Sequence, residues 1–441
     1  MEQDIDEGME EALESISIEE KVKDFLSKAI VFVIDASPSS CLRLVQNLMG
    51  LGVSEKNIKS FSSYTEITAI LQSSKPHLLF SEQAIADKSV FDLWKEFKKN
   101  PDYEQTIFIL LTACNDHALI SRAIEEELDA FVLKPYSEGL FNGQLQTIIQ
   151  DKIVPSQYLR MIAKGKSFLK LEQPNQAIDF FKRALPLHDT PVLACYYYAQ
   201  AELMLNAIKN AEERYREGIA YNHIHYKCLQ GLFGLLYKES RYQEAYELLR
   251  EMIKFFSINA DRLTKLIRLS VQTNNFNDID DYYNAFMSSE FKTKDASKYI
   301  CAGLIICGRY FLNNNNFEKA MNLFERARTI SPNDSKQLLY VIQNLIEFNF
   351  EEAAKNFFQH FTSEMHSSKE YQICEFLVKN SERSATDSLA AGYHLLNQGL
   401  KDYCLYSILI RRLKQLDKVT EQQELIATAE ALWPEKRHLF S

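Results

Sequence analysis

A short sequence pattern recurs at intervals of about 34 residues between positions 155 and 361, and such intervals are typical of repeat proteins. A small or branched residue marks each copy: Ala177, Ala211, Ala245, Ile279, Ala320 and Ala353. The first three intervals are equal, the fourth is longer, and the fifth is close to the first three. An aromatic residue or a leucine follows each of them after four positions: Phe181, Tyr215, Leu249, Tyr283, Phe324 and Phe357. The units of such a chain bury their apolar faces against their neighbours.

This pattern resembles the tetratricopeptide repeat, a pair of helices with small residues where they touch. The copy over residues 301–334 has the expected types at Gly308, Phe311, Ala320, Phe324, Ala327 and Pro332. The copy from residue 158 has them at Gly165, Phe168, Ala177, Phe181 and Ala184. The middle copies depart, with Phe233 in place of the first-helix glycine and Ile279 in place of an alanine. The resemblance implies an all-α solenoid of about six helix pairs over residues 154–364, continued or capped by helices over 365–441.

A solenoid of this kind has a concave surface that binds extended peptides or helices. Tyr196, Tyr197 and Tyr198 are candidates for this groove, because tyrosine combines contact area with a polar tip. Consecutive residues of a helix diverge by about 100°, so these three cannot all point inward. We expect one or two of them to face the groove or the solvent and the rest to pack, and we expect Tyr215 and Tyr283 to fill core positions.

The first 150 residues follow a different plan. Four short apolar runs, residues 29–34, 77–80, 107–111 and 130–133, are separated by helix-length amphipathic stretches. This alternation predicts a parallel β-sheet covered by helices. Asp35, Glu82, Thr112 and Lys134 follow these runs at or near their ends. Because the active crevice of such sheets lies beyond the carboxyl ends of the strands, we expect the four side chains to converge.

The four motifs are VIDASP at 33–38, PHLLFSE at 76–82, LLTA at 110–113 and FVLKP at 131–135. Together, in this order and separated by steps of 47, 30 and 22 residues, they resemble the receiver domain of bacterial response regulators. The resemblance implies a doubly wound parallel sheet of five strands over residues 25–153. It also implies a site in which an acid accepts a phosphoryl group and Lys134 contacts that group.

Two positions depart from the receiver pattern. Ala36 stands where the family has a second acid, and Glu82 stands where it has the phosphorylated aspartate. Magnesium needs several oxygen ligands in octahedral geometry, so Ala36 weakens the expected metal site. Glu82 is also one methylene longer than the acceptor, and positioning dominates phosphoryl transfer. One hypothesis is a pseudo-receiver held in one state by a Glu82–Lys134 contact. The other is that Glu82 is a partly solvated acid at an inactive site.

Phe131 lies where receivers place an aromatic side chain that switches between buried and exposed positions, and Thr112 would couple the acid site to it. Simple core packing is the favoured interpretation of Phe131 when the site is not phosphorylated. The family also commonly has a cis bond at the position of Lys134–Pro135, and cis is accessible before proline.

Composition limits the classes of partner and location. The net charge is −10, the pI is about 5.6, and no run of Lys or Arg could track phosphates, so we expect no nucleic-acid partner. The eight cysteines are scattered, which is typical of small core residues in a reducing cytosol. No apolar run is long enough to span a membrane. We expect a cytoplasmic protein with an acidic, disordered tail over residues 1–24.

No catalytic motif stands out, so we predict a chain that is not an enzyme and has no cofactor. The predicted function is a bacterial signalling adaptor whose repeats bind a protein partner. The alternative is a response regulator that is phosphorylated and switches its repeat domain. A third reading makes the receiver a homodimerisation module that uses the face of residues 131–149.

Overall fold

The computed structural model describes residues 17–71, 74–85, 88–100, 103, 105–113, 123, 128–256, 259–288 and 292–440. They form two compact units, one up to residue 257 and one from residue 258. The domain boundaries predicted at residues 153 and 364 stay predictions. In the described part of the chain, no helix is both long and apolar enough to cross a membrane.

The first unit contains a parallel sheet of five strands. The strands are β1 (Val31–Ile34), β2 (Ile58–Phe61), β3 (Leu78–Glu82), β4 (Ile107–Thr112) and β5 (Ala130–Leu133). Their order across the sheet is β2-β1-β3-β4-β5, and every neighbouring pair is parallel. This is the strand order of the flavodoxin-like doubly wound fold. The sequence prediction of a doubly wound, five-stranded parallel sheet is confirmed.

Helices pack on both faces of this sheet. They are α1 (Ile18–Lys28), α2 (Pro38–Gly50), α3 (Tyr64–Leu71), α4 (Val90–Lys99) and α5 (Glu138–Ile153). Successive residues of a strand point to opposite faces of the sheet, and in β1 the residues on both faces are apolar. Val31 and Val33 pack in the core that includes α1, α2 and α5. Phe32 and Ile34 pack in the core that includes α3 and α4.

Helix α1 corrects the predicted tail over residues 1–24. The Ser17 hydroxyl accepts a hydrogen bond from the Glu20 amide, and the Glu20 carboxylate accepts one from the Ser17 amide. This capping box starts the helix at Ile18, and Val22 and Leu26 anchor it in the core. The prediction of a disordered tail rested on the acidic composition of this segment and overlooked the apolar positions Val22 and Leu26. Residues 1–16 lie outside the described residues.

Helix pairs follow the sheet. Those of the first unit are α6 (Gln157–Lys170), α7 (Pro174–Ala184), α8 (Val192–Met204), α9 (Ile208–Tyr221), α10 (Tyr226–Lys238) and α11 (Tyr242–Met252). Those of the second unit are α12 (Ala260–Gln272), α13 (Ile279–Ser288), α14 (Lys294–Asn313), α15 (Phe317–Ile330), α16 (Ser335–Glu347), α17 (Glu351–Phe358), α18 (Lys369–Lys379), α19 (Ala385–Asn397), α20 (Tyr403–Gln415) and α21 (Val419–Leu432). The described residues thus form three pairs in the first unit and five in the second, which confirms the predicted helical solenoid.

A left-handed residue ends the first helix of seven of these pairs. The residues are Glu172, Asn206, Ser240, Asn274, Asn315, Asn349 and Asp417, with φ between 54° and 65°. The first four are evenly spaced, at the same interval as the first copies of the sequence pattern. The amide that follows each of them returns to a carbonyl of the preceding helix, for example Gln173 N to Phe168 O at 2.9 Å. This closing bond is the Schellman motif, which stops one helix and starts the return.

Glycines set the approach of the two helices in the best-matching copies. A Cβ on Gly165 would lie 2.3 Å from Cε1 of Phe181, and one on Gly308 would lie 2.3 Å from Cε1 of Phe324. Both phenyl rings are fully buried. These positions therefore require glycine for the packing that the repeat resemblance implies.

Two register predictions are wrong. Tyr282, not Tyr283, is buried in α13, because it shares one helix face with the buried Ile279 and Phe286, three residues after the first and four before the second. Ala354, not Ala353, is the fully buried alanine of α17. Ala354 lies one regular repeat interval after Ala320, so a strict 34-residue interval would have indicated Ala354 and not Ala353.

Candidate functional site

The candidate acid site lies at the carboxyl edge of the sheet. Asp35 follows β1, Glu82 ends the neighbouring β3, and Lys134 follows β5. The Lys134 ammonium is 2.7 Å from Asp35 Oδ2 and 3.2 Å from Glu82 Oε1. One cation thus bridges two carboxylates that the strand order brings to the same edge.

Asp35 is the buried member of this cluster. Its side chain is fully buried, and its Oδ1 accepts a hydrogen bond of 2.8 Å from the Ser37 amide. Burial alone would raise the pKa of Asp35, but hydrogen bonds from Lys134, Ser40 and the Ser37 amide outweigh it and hold the pKa below its usual value. Asp35 is therefore a carboxylate at neutral pH.

Lys134 is charged as well. Burial would lower the pKa of its ammonium, but the hydrogen bond and charge of Asp35, together with the charge of Glu82, raise it above its usual value. The hypothesis from sequence included only the contact with Glu82. Asp35 lies closer, and the sequence held one signal for this: with Ala36 beside it, Asp35 has no second acid to share a cation with.

Glu82 is the accessible carboxylate of the site. Its side chain is 28% exposed, whereas that of Lys134 is 14% exposed. The carboxylate therefore contacts both Lys134 and solvent, and each of the two hypotheses about Glu82 describes part of what is seen.

Thr112 and Pro135 join the site through the backbone. Thr112 is buried at the end of β4, and its carbonyl oxygen accepts a hydrogen bond of 2.7 Å from the Lys134 amide. The Lys134–Pro135 bond is cis, as expected from the receiver resemblance. The hydrogen bond from its amide holds the backbone of Lys134 against β4.

Phe131 does not fill the core, so the favoured interpretation from sequence is wrong. It is 39% exposed because it lies on the outer strand β5, where the next residue, Val132, takes the inward position. Phe131 lines an open cavity of about 680 Å³ beside the first half of α5, where Leu140 is 70% exposed. Its role as a switch stays a prediction.

The residues present do not fit a magnesium ion. Both carboxylates of the site already contact Lys134, and Asp35 also accepts the Ser37 amide. Ala36 supplies no oxygen in place of the second acid. Magnesium prefers several free carboxylate or water oxygens, and an ammonium between two carboxylates competes for them.

The second candidate site is the tyrosine cluster on α8. Tyr196, Tyr197 and Tyr198 are all partly buried, and burial raises the pKa of the first two. Tyr196 and Tyr197 contact each other edge to face, with ring centroids 4.9 Å apart. No member of the cluster is a fully buried core residue.

Cations from neighbouring helices surround these rings. Lys227 of α10 lies 5.1 Å from the centre of the Tyr196 ring and 5.3 Å from that of the Tyr197 ring, and Lys166 of α6 lies 5.1 Å from the centre of the Tyr197 ring. Tyr198 instead faces the second helices, where Arg214 of α9 lies 5.4 Å from its ring. Tyr196 and Tyr197 therefore lie with the first helices α6, α8 and α10, and Tyr198 points away from them.

No family model matches the chain, and no curated protein does. Solved structures match parts of it. A receiver domain of DrrB, activated with BeF3, is 18% identical over 27% of this chain and 96% of its own, with a TM-score of 0.24. This chain also covers about half (52%) of the longer DrrB response regulator of Thermotoga maritima.

Two tetratricopeptide-repeat proteins also match parts of the chain. PilF of Pseudomonas aeruginosa is 18% identical over 49% of this chain and 96% of its own, with a TM-score of 0.25. YrrB, described as a tetratricopeptide-repeat protein with an unusual peptide-binding site, is 14% identical over 44% of this chain and 95% of its own, with a TM-score of 0.29. The fold itself rests on strand order and helix pairing, which join a receiver-like sheet to tetratricopeptide-like helix pairs.

Proposed function

We propose that the protein is a non-catalytic bacterial signalling adaptor, a pseudo-receiver whose repeats bind a protein partner. The observation that carries this proposal is the double contact of Lys134 with Asp35 and Glu82. The lysine that contacts the phosphoryl group in receivers is here neutralised by the protein's own carboxylates. Glu82 supplies a permanent negative charge where receivers acquire one by phosphorylation.

The charges of the site oppose a phosphoryl group. Phosphorylation adds a charge of about −1.5 to −2 at pH 7. In this site that charge would lie against the Asp35 carboxylate, and Lys134 would have to leave or share its present contacts. No magnesium site fits here to compensate the repulsion. A single fixed state is therefore the proposed condition of the sheet domain.

The tyrosine cluster supports the proposed partner site. Tyr196 and Tyr197 present rings and hydroxyls beside Lys166 and Lys227 on consecutive first helices. Tyrosine is enriched among the residues that dominate binding at protein interfaces, and a cation near a ring adds a favourable interaction. We propose that a protein partner binds this surface through a peptide or a helix. The proposal includes no nucleic-acid partner and no insertion into a membrane.

Capture of partners from lysate of the source cells tests the assignment. The wild type, Tyr197→Ala and the matched control Tyr221→Ala, which changes an exposed tyrosine at the end of α9, are compared by mass spectrometry. We expect a partner that the wild type and the control retain and that Tyr197→Ala loses. A partner retained by all three proteins would contradict the role of the cluster.

Glu82→Ala in the same assay tests the acid site. If the fixed negative charge maintains the binding state, this variant loses the partner although its repeats are unchanged.

The alternative is a response regulator that is still phosphorylated, and the partial exposure of Glu82 favours it. We keep homodimerisation through residues 131–149 as a further proposal, since Phe131 and Leu140 are exposed there.

A further inference from the structure

A cavity in the second unit has no role in the proposed function. Its volume is about 520 Å³, within the range of about 300–1,000 Å³ that is usual for ligand pockets. The side chains that give it character are three lysines and three aromatic residues: Lys336, Lys369, Lys401, Tyr340, Tyr403 and Trp433. Tyr340 is 53% exposed, so an aromatic surface is open to a ligand.

The cavity carries an excess of positive charge. Among the described residues, no salt bridge involves Lys336, Lys369 or Lys401, and all three residues are exposed. The two acids of the lining are both buried and hydrogen-bonded. Glu370 accepts from the Ser335 hydroxyl, and Asp402 accepts from the amides of Cys404 and Leu405 and from the Gln343 side chain. The exposed groups that a ligand meets are therefore cationic and aromatic.

The lysines lie near the starts of three successive first helices. Lys336 is the second residue of α16, Lys369 is the first residue of α18, and Lys401 lies two residues before α20. These first helices pack directly, α16 on α18 and α18 on α20. Packed helices lie about 8–10 Å apart, so the backbones that carry this row of lysines are spaced by about that distance.

An extended peptide matches this row. In the polyproline II conformation it advances about 3.1 Å per residue with three residues per turn, so acidic side chains on every third residue lie on one face and recur about every 9 Å. A compact oxyanion such as phosphate would reach one lysine, or two, and would leave the aromatic walls uncovered. The protein's own surface is acidic overall, with a net charge of −10, so three exposed lysines around one cavity stand apart from it.

We infer that this cavity is a second recognition site, which binds an extended acidic peptide of a partner protein. The inference rests on the proposed function, since it adds the chemistry of a partner to the repeat domain. Carboxylates bind the three lysines, and the apolar residues between them pack on Tyr340 and Trp433. The site therefore selects segments in which acids recur at intervals of three residues.

A peptide titration tests the inference on the full chain. The probe is a fluorescein-labelled peptide of sequence Glu-Leu-Ser-Glu-Leu-Ser-Glu, followed by fluorescence anisotropy, and the matched probe has glutamine at every glutamate. We expect the glutamine peptide to bind at least about tenfold more weakly, because charge-assisted bonds carry the recognition. We also expect the affinity for the acidic peptide to fall as the salt concentration rises.

The variants Lys336→Glu, Lys369→Glu and Lys401→Glu should each weaken binding by at least about fivefold, with the central Lys369 the most sensitive. Acids are favourable at helix N-termini, so these reversals keep the fold. Lys294→Glu is the matched control, since Lys294 is the exposed first residue of α14 and does not line the cavity. We expect no change in peptide affinity for this control.

Three outcomes would overturn the inference. They are equal affinity for the two peptides, equal loss of affinity in the control variant, and full competition by inorganic phosphate at the concentration of the peptide. Tyr197→Ala, measured in parallel, separates this inference from the proposed function, because the acidic peptide should bind it normally. If the peptide fails to bind while Tyr197→Ala still loses a cellular partner, the inference is wrong and the adaptor proposal stands.

Discussion

At the residue scale, the proposed single state of the sheet domain depends on the pair formed by Asp35 and Lys134. The Asp35 side chain is fully buried, so water cannot solvate its carboxylate if the Lys134 ammonium is removed. Removing one partner of a buried pair leaves the other uncompensated, and that loss typically costs about 3–5 kcal/mol. Glu82 is partly exposed, and water can replace its contact with Lys134.

We predict that Lys134→Met lowers the free energy of unfolding by about 3 kcal/mol at pH 7. Glu82→Gln, the control, lowers it by less than about 1 kcal/mol, as for other solvated pairs. Both are measured by urea unfolding in a Trp433→Phe background, where Trp94 is the remaining tryptophan and reports on the sheet domain. Equal losses in the two variants would contradict the assignment of Asp35 as the principal partner.

The pH dependence follows from the directions of the two pKa shifts. The pKa of Asp35 is lowered, so its contribution is complete above its unfolded-state pKa, about 3.9, and is lost as the pH falls through the folded value. The pKa of Lys134 is raised, so its contribution is complete below about pH 10.4 and is lost at higher pH. The difference in stability between the wild type and Lys134→Met should therefore be largest between about pH 5 and pH 9 and shrink towards pH 3.

At the scale of elements, the helix pairs depend on close approach at glycine. The Cβ of an alanine at residue 165 would lie 2.3 Å from Cε1 of the buried Phe181 ring. Gly234, in α10, is a helical glycine with open space around its missing Cβ. An alanine at residue 165 therefore tests the packing of the helix contact, whereas an alanine at residue 234 tests helix propensity alone.

We predict opposite effects of the same change at these two positions. Gly165→Ala should destabilise the chain by about 1–3 kcal/mol through overpacking. Gly234→Ala should stabilise it by up to about 1 kcal/mol, because alanine is the better helix former. Chemical unfolding followed by circular dichroism at the helix band measures both. A stabilising Gly165→Ala would show that the glycine is not needed for the helix contact.

The elements also show what the sequence could reveal. Apolar runs and the regular repeat interval were sufficient for four of the five strands, the helix pairs and the convergence of Asp35, Glu82 and Lys134, because these depend on periodicity and strand order. The strand Ile58–Phe61 has no apolar run and followed only from the receiver resemblance. The exposure of Phe131 depends on its place on an outer strand, which leaves no periodic signal. The inward position of Tyr282 depends on whether the buried face continues three or four residues after Ile279, and the repeat interval alone does not decide this. The periodic left-handed residues had a partial signal, since four of the seven are asparagine and one is aspartate.

At the scale of the whole molecule, the chain has two surfaces of aromatic rings and cations in addition to the acid site. The tyrosine cluster and the lysine-lined cavity lie in different compact units, and each presents aromatic rings with cations. The identity of a partner had no signal in the sequence, because recognition depends on a few side chains whose neighbours come from other repeats. Homodimerisation through residues 131–149 stays a prediction.

The central claim is that the sheet domain carries its signalling charge permanently in Glu82 and does not acquire it by phosphorylation. The most direct test is incubation of the full chain with acetyl phosphate and Mg²⁺, followed by intact-mass spectrometry. The double variant Ala36→Asp and Glu82→Asp, which restores both receiver acids, is measured in parallel. We expect no phosphoryl adduct on the wild type, and an adduct on the double variant would show that the assay detects phosphorylation at this site. A Mg²⁺-dependent adduct on the wild type that is lost in Glu82→Gln would contradict the account and show a phosphorylated response regulator.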